Sequence, residues 1–156
     1  MKNKIKYKRI ATIDIGSNAI RMLISNVYEI NGKKVSTKNN IVRIPLRLGQ
    51  DSFSKSTLSD SSTNKLIKSF KAFKLLMDIN EVDSFLAYAT SAIRNINDSE
   101  VLLKRIFDET GIKLEVISGE KEAQITSQQD ISDHIGKTKN YCFVDVGGGS
   151  TEVIIF

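Results

Sequence analysis

One pattern occurs twice in this chain, and it restricts the fold more than any other feature. Thr12-Ile13-Asp14-Ile15-Gly16-Ser17-Asn18-Ala19-Ile20-Arg21-Met22-Leu23-Ile24 aligns without a gap to Phe143-Val144-Asp145-Val146-Gly147-Gly148-Gly149-Ser150-Thr151-Glu152-Val153-Ile154-Ile155. Each copy reads as an apolar strand, an aspartate, an apolar residue, a glycine-led run of small residues, and a second apolar strand. A turn this poor in bulky side chains lets backbone N–H groups converge on an anion. Ser17, Ser150 and Thr151 add hydroxyl donors. An aspartate at the end of the first strand can hold a divalent cation or a water beside a phosphate. Two such hairpins facing each other make a two-sided phosphate clamp.

The remaining elements are consistent with an α/β chain. Residues 9–15 read as a buried strand stopped by Gly16, and residues 19–30 as a second strand. Asn31-Gly32 is a strong hairpin signal leading into Lys33–Thr37. Residues 41–48 alternate apolar and polar, with Pro45 restricting them to an edge strand or a bulge. A Ser-rich loop is expected over 51–62. Leu66, Ile67, Phe70, Phe73, Leu76 and Met77 then recur at helical spacing, which predicts a helix over 61–78. A strand over 82–90 and a helix opened by Asp98 or Ser99 follow. That helix carries Val101, Leu102, Ile106 and Phe107 on one face and stops at Gly111. A strand over 112–117 and a helix from Ser118-Gly119-Glu120 to about His134 precede the two final strands, 141–146 and 150–156. The order β-β-β-α-β-α-β-α-β-β predicts a mixed sheet with helices on its faces. Phe70, Phe73 and Phe107 are expected in the core, and Cys142 as a small buried residue. His134, near a helix end, reads as a cap or surface residue.

Composition narrows the function classes. Hydrophobic residues are 40% and charged residues 26%, the balance of a globular domain. A single cysteine excludes an intramolecular disulfide framework and a multi-Cys zinc site. No apolar run reaches the ~20 residues of a membrane helix, and no apolar leader follows the basic start, so the expected compartment is the cytoplasm. Residues 1–50 hold eleven Lys/Arg against two acids, and the rest twelve against sixteen. A basic first third can attract a polyanion, or it can be a solvated tail over 1–8. The chain has no tryptophan and only scattered tyrosines, giving a nucleic-acid surface little support.

Two further segments carry chemistry. Ala89-Thr90-Ser91-Ala92-Ile93-Arg94 lies at the end of an expected central strand, where α/β sheets bind ligands. Thr90 and Ser91 can donate hydrogen bonds, and Arg94 can fork onto phosphate oxygens. Ile117-Ser118-Gly119-Glu120-Lys121-Glu122-Ala123 opens a helix. Its acids suit the helix dipole, and one of them could equally be a general base acting on water. Pattern alone does not choose between these.

Four motifs occur in order: Asp14-Ile-Gly-Ser-Asn, Thr90-Ser-Ala-Ile-Arg94, Ser118-Gly-x-x-Glu122-Ala and Asp145-Val-Gly-Gly-Gly-Ser-Thr-Glu152. Together they resemble the N-terminal part of the exopolyphosphatase / guanosine pentaphosphate phosphohydrolase family, within the actin, Hsp70 and sugar-kinase superfamily. The resemblance runs from about residue 9 to the end. It implies a ribonuclease-H-like, actin-like domain over 9–136, with a mixed five-stranded sheet. It also implies the first hairpin of an incomplete second actin-like domain over 137–156. The implied activity is hydrolysis of a terminal phosphoanhydride of inorganic polyphosphate or guanosine pentaphosphate, assisted by Mg²⁺. Glu122 matches the base that activates water. Asp145 and Glu152 match acids near the metal, with Asp14 a further candidate. Gly16, Ser17, Asn18 and Arg21 match the first phosphate loop, Thr90 and Arg94 the middle one, and Gly147, Gly148, Gly149, Ser150 and Thr151 the second. The sequence departs from the family pattern at Asp51, Lys121 and Gln124.

Family members are considerably longer, so the resemblance implies a fragment or truncated product. Its final hairpin would lack a sheet. It would be mobile, paired with another chain, or packed in a manner foreign to the family, and its apolar edge suggests self-association as a homodimer. Two other classes stay open: an ATP-dependent kinase or ATPase of the same superfamily, and a non-catalytic phosphate- or polyanion-binding module.

Overall fold

The computed structural model describes residues 6–127, 141–148 and 151–155, with the backbone alone at 53, 55, 127 and 152. Its first three strands form a meander: β1 (Tyr7–Ile15), β2 (Ala19–Ile30) and β3 (Lys33–Pro45). Asn31 and Gly32 join the last two with φ of 52° and 73°. Both turn positions of a type I′ hairpin need positive φ, which asparagine and glycine tolerate. Pro45 ends β3 at the sheet edge, where the amide hydrogen it lacks is not needed. Parallel strands β4 (Ser84–Ala89) and β5 (Glu115–Val116) extend the other side, giving the order β3-β2-β1-β4-β5. The mixed five-stranded sheet is the expected one, with β5 trimmed from 112–117 to two residues.

The core lies on one face of this sheet. Ile13 and Ile15 of β1, Ile20, Met22 and Ile24 of β2, and Ala87 and Ala89 of β4 are buried there. Helix α2 (Asp60–Ile79) packs onto them through Leu66, Phe70, Phe73 and Met77, and helix α4 (Ser99–Thr110) through Leu102 and Ile106. Ser59 caps α2 by accepting from the Ser62 N–H, and Gly111 closes α4 with φ 69°. The opposite face is open at Ile41 and Leu86. Among the described residues no helix is long and apolar enough to cross a membrane.

Three local expectations are corrected. A helix, α1 (Leu48–Lys55), stands where the Ser-rich loop was expected to begin. Its start is fixed by tertiary contacts: Leu48 is fully buried, and the Gly49 N–H donates to the Ser17 carbonyl. Asp51, one of the departures from the family pattern, accepts from the Ser59 and Ser62 hydroxyls and so ties α1 to the start of α2. Phe107 is half exposed rather than core, because α4 turns Leu102 and Ile106 inward instead. Cys142 is exposed, because β6 (Cys142–Val146) and β7 (Thr151–Ile155) form a separate two-stranded sheet too small to cover both its faces.

Helices α2 and α4 also share an ion-pair network. Lys71 and Arg105 both reach Glu109, at 2.6 and 3.0 Å. The Lys71 hydrogen bond, then that of Arg105, holds the Glu109 carboxyl below its ordinary value near 4.5. A depressed carboxyl stabilises the fold above its unfolded pKa, and that contribution disappears as pH falls through the folded value. Urea midpoints measured from pH 7 down to pH 3 should therefore fall less for Glu109→Gln than for the parent chain.

Candidate active site

The first Asp-x-Gly turn is held by its neighbours rather than by its own side chains. Gly16 N–H donates to the Ala19 carbonyl, closing the turn between β1 and β2. The Asn18 carbonyl accepts from Leu46 and Arg47, and the Ser17 carbonyl from Gly49. With those carbonyls tied to the end of β3 and the start of α1, the N–H groups that follow them point the opposite way. Beside this turn, β4 ends in Thr90 and the short helix α3 (Ser91–Arg94). Ser17 Oγ and Ser91 Oγ lie 3.4 Å apart, both buried.

Glu122 comes from the first turn of α5 (Gly119–Ser127). Ser118 caps this helix with its own hydroxyl, accepting from the Lys121 N–H at 3.1 Å. Glu122 faces the space between the turns. Arg94 stands behind it: Nη1 donates to the Ile117 carbonyl at 2.6 Å and lies 3.9 Å from Glu122 Oε2. That anchors the guanidinium and fixes one charge beside the carboxylate.

The second turn closes the space. The β6–β7 ladder pairs Asp145 with Glu152 and Val146 with Thr151. Gly148 lies so close to the first turn that a methyl carbon there would sit 2.9 Å from Asn18 Nδ2 and 3.1 Å from Ser17 Cβ. A methyl there would require Asn18 to swing aside and Ser17 to shift by a few tenths of an ångström.

The result is one cavity of about 300 Å³ lined by Asp14, Gly16, Ser17, Asn18, Arg21, Thr90, Glu122, Asp145, Gly147 and Gly148 among others. Residues from three of the four sequence motifs and the base candidate of the remaining one thus meet in a single place. Not every expected residue faces it. Arg94 is absent from the lining and touches Glu122 instead. Thr151 is not in the lining either. The Thr90 hydroxyl donates to the Ile15 carbonyl at 3.2 Å, so it holds β4 to β1 rather than offering its proton inward. Asp14 accepts from Arg21 Nε at 2.8 Å, so the two neutralise each other. Gly149 and Ser150 lie outside the described residues, as does His134, and Glu152 is described by its backbone alone.

Arg43 also lines the cavity, and the sequence reading missed it. Counting pairs outward from Asn31-Gly32 sets Arg21 against Val42. An irregularity at Ile24/Ser25 shifts the ladder by one, and Arg21 faces Arg43.

A match to the Ppx/GppA phosphatase family covers residues 27–156. The chain belongs to this family. It is 34% identical to the bifunctional 3-dehydroquinate synthase/phosphatase of Fusobacterium nucleatum, over 94% of this chain and 23% of that protein. It is 28% identical to exopolyphosphatase 1 of Mycobacterium bovis, over 93% of this chain and 41% of the relative. The crystal structure of the Aquifex aeolicus member of the Ppx/GppA family superposes with a TM-score of 0.77 at 29% identity, covering 97% of this chain and 51% of that one. The chain thus spans about half or less of the length of these relatives. The turn between β6 and β7 approaches the turn between β1 and β2 through Gly148.

The acids fit a hard divalent cation. Among the described residues no three His, Cys, Asp or Glu side chains gather as a metal cluster. Mg²⁺ does not need one, since it binds through one or two carboxylates and completes its shell with water and substrate phosphate oxygens. Asp14 is balanced by Arg21 and Glu122 has Arg94 beside it, which leaves Asp145 and Arg43 as the other charged side chains of the lining.

Proposed function

We propose that this chain carries the phosphate-binding and water-activating residues of a phosphohydrolase acting on the terminal phosphoanhydride of inorganic polyphosphate or guanosine pentaphosphate. The observation that supports this best is the convergence of both Asp-x-Gly turns and Glu122 on one cavity. The relatives' exopolyphosphatase activity and the family match agree with it.

Phosphoryl transfer is mainly positioning and charge neutralisation. The backbone of Gly16–Asn18 and of Gly147–Gly148 would cradle the terminal phosphate from two sides. Asp145, with Asp14 and Glu152 as further candidates, would hold Mg²⁺, which supplies charge neutralisation on the phosphate oxygens. Glu122 takes one proton from a water molecule. That water's oxygen forms the bond to the terminal phosphorus, the bond from phosphorus to the bridging oxygen breaks, and the electron pair leaves on the shortened chain. Arg94 positions Glu122 through their contact.

The test is phosphate release from long-chain polyphosphate by this chain with Mg²⁺, with binding measured in the same samples. Turnover that falls to background when EDTA removes the metal is the expected result. Binding without turnover would point to a polyanion-binding module, and failure of both would overturn the proposal.

A further inference from the structure

Arg43 lines the cavity from outside the four sequence motifs. It sits on the edge strand β3, exposed, directly opposite Arg21 in the ladder, while Arg21 faces Asp14 on the next strand. The row therefore reads Arg43, Arg21, Asp14 across three strands. Arg21 and Asp14 form a salt bridge. Arg43 has no ion pair or side-chain hydrogen bond among the described residues. Like charges directly opposite in a sheet are destabilising, unless something anionic lies between or beside them. The ladder irregularity at Ile24/Ser25 is what creates the juxtaposition, and such bulges commonly re-aim a side chain next to a site. Without it, the half-buried Val42 would stand opposite Arg21 and Arg43 would be one residue out of register.

Resting on the phosphohydrolase reading above, we infer that Arg43 is a substrate-positioning residue that holds phosphate groups of a polyanion beyond the one being cleaved. Strands lie about 4.8 Å apart, so the Arg43 backbone stands about 10 Å from that of Asp14 at the mouth of the first turn. A chain with its terminal phosphate between the two glycine turns reaches Arg43 with a later phosphate, whereas pyrophosphate is too short to engage both ends fully. A guanidinium suits this position because it forks onto two phosphate oxygens and stays charged. The inference favours substrates with an extended phosphate chain and makes Arg43 a determinant of chain length rather than of the bond-breaking step.

The experiment compares the unsubstituted chain with Arg43→Gln and Arg43→Lys, titrated with long-chain polyphosphate and with pyrophosphate in the presence of Mg²⁺ at two salt concentrations. Because Arg43 is exposed on an edge strand, the variants should keep the parent's thermal midpoint, which is recorded alongside. Arg43→Gln should weaken long-chain polyphosphate binding about 10-fold, roughly one charge-assisted hydrogen bond to phosphate, and flatten its salt dependence. Arg43→Lys should restore part of that loss, and pyrophosphate binding should stay within about twofold. Equal weakening of both ligands, or of neither, overturns the role of Arg43 and leaves the phosphohydrolase reading intact. An unsubstituted chain that binds neither ligand overturns the phosphohydrolase reading, and this inference with it.

Discussion

Glu122→Gln should lower phosphate release from polyphosphate by about 10²–10⁴-fold, the usual worth of a positioned general base. The amide keeps the shape of the side chain and its place in the first turn of α5, beside Arg94. What it loses is the capacity to take a proton. Polyphosphate binding by the same variant should therefore hold or tighten slightly, since a negative charge facing the phosphate is removed. The two readouts separate a base from a structural acid. A variant that loses turnover and binding together would mean that Glu122 holds the site's shape. A variant that keeps turnover would remove Glu122 from the chemistry altogether. Glu120 serves as the control: it shares the first turn but is absent from the cavity lining, and Glu120→Gln should be close to silent.

Gly148→Ala should also lower turnover, by a smaller factor and for a geometric reason. The new methyl carbon would stand 2.9 Å from Asn18 Nδ2, 3.1 Å from Ser17 Cβ and 3.2 Å from Asn18 Cγ. Asn18 Nδ2 ends a side chain and can swing aside. Ser17 Cβ is attached directly to the backbone of a buried residue, so relief requires the two turns to move apart. A displacement near 1 Å in a positioned site costs about 10²-fold in rate, and the few tenths of an ångström needed at Ser17 Cβ should cost up to about 10-fold. The expected result is a loss of that order in turnover, with little change in the thermal midpoint, because the contact joins the hairpin to the first turn and not to the core. Full retention of the parent rate in Gly148→Ala would mean the turns tolerate the shift.

Much of this architecture was legible because it is written in neighbouring residues. The Asn31-Gly32 hairpin, the apolar stripe of α2 and the glycine stop of α4 each depend on local backbone preference or on a period of a few residues. The duplicated Asp-x-Gly turn is local in the same sense, since each copy is a run of adjacent small residues. The helix α1 was not legible. Its serines and lone buried leucine show no stripe, and what makes it a helix start is hydrogen bonding to Ser17 and Asn18, some thirty residues earlier. Phe107 misled for the converse reason: its spacing allows either edge of the α4 stripe, and packing against α2 selected the Leu102–Ile106 side.

The site divides along the same line. By itself the sequence determined which groups were present: two small-residue turns, an acid in a capped helix start, and aspartates at strand ends. Tertiary structure decided what each one does. It spent the Thr90 hydroxyl on the Ile15 carbonyl, matched Asp14 with Arg21, and drew Arg94 behind Glu122. It also brought Arg43 opposite Arg21, through a one-residue shift that no count from the turn reveals. The physical reason is that a donor or charge can satisfy only the partner that the fold sets within about 3 Å of it. Those partners come from strands and helices tens of residues apart, so sequence specifies the chemistry available and packing assigns it.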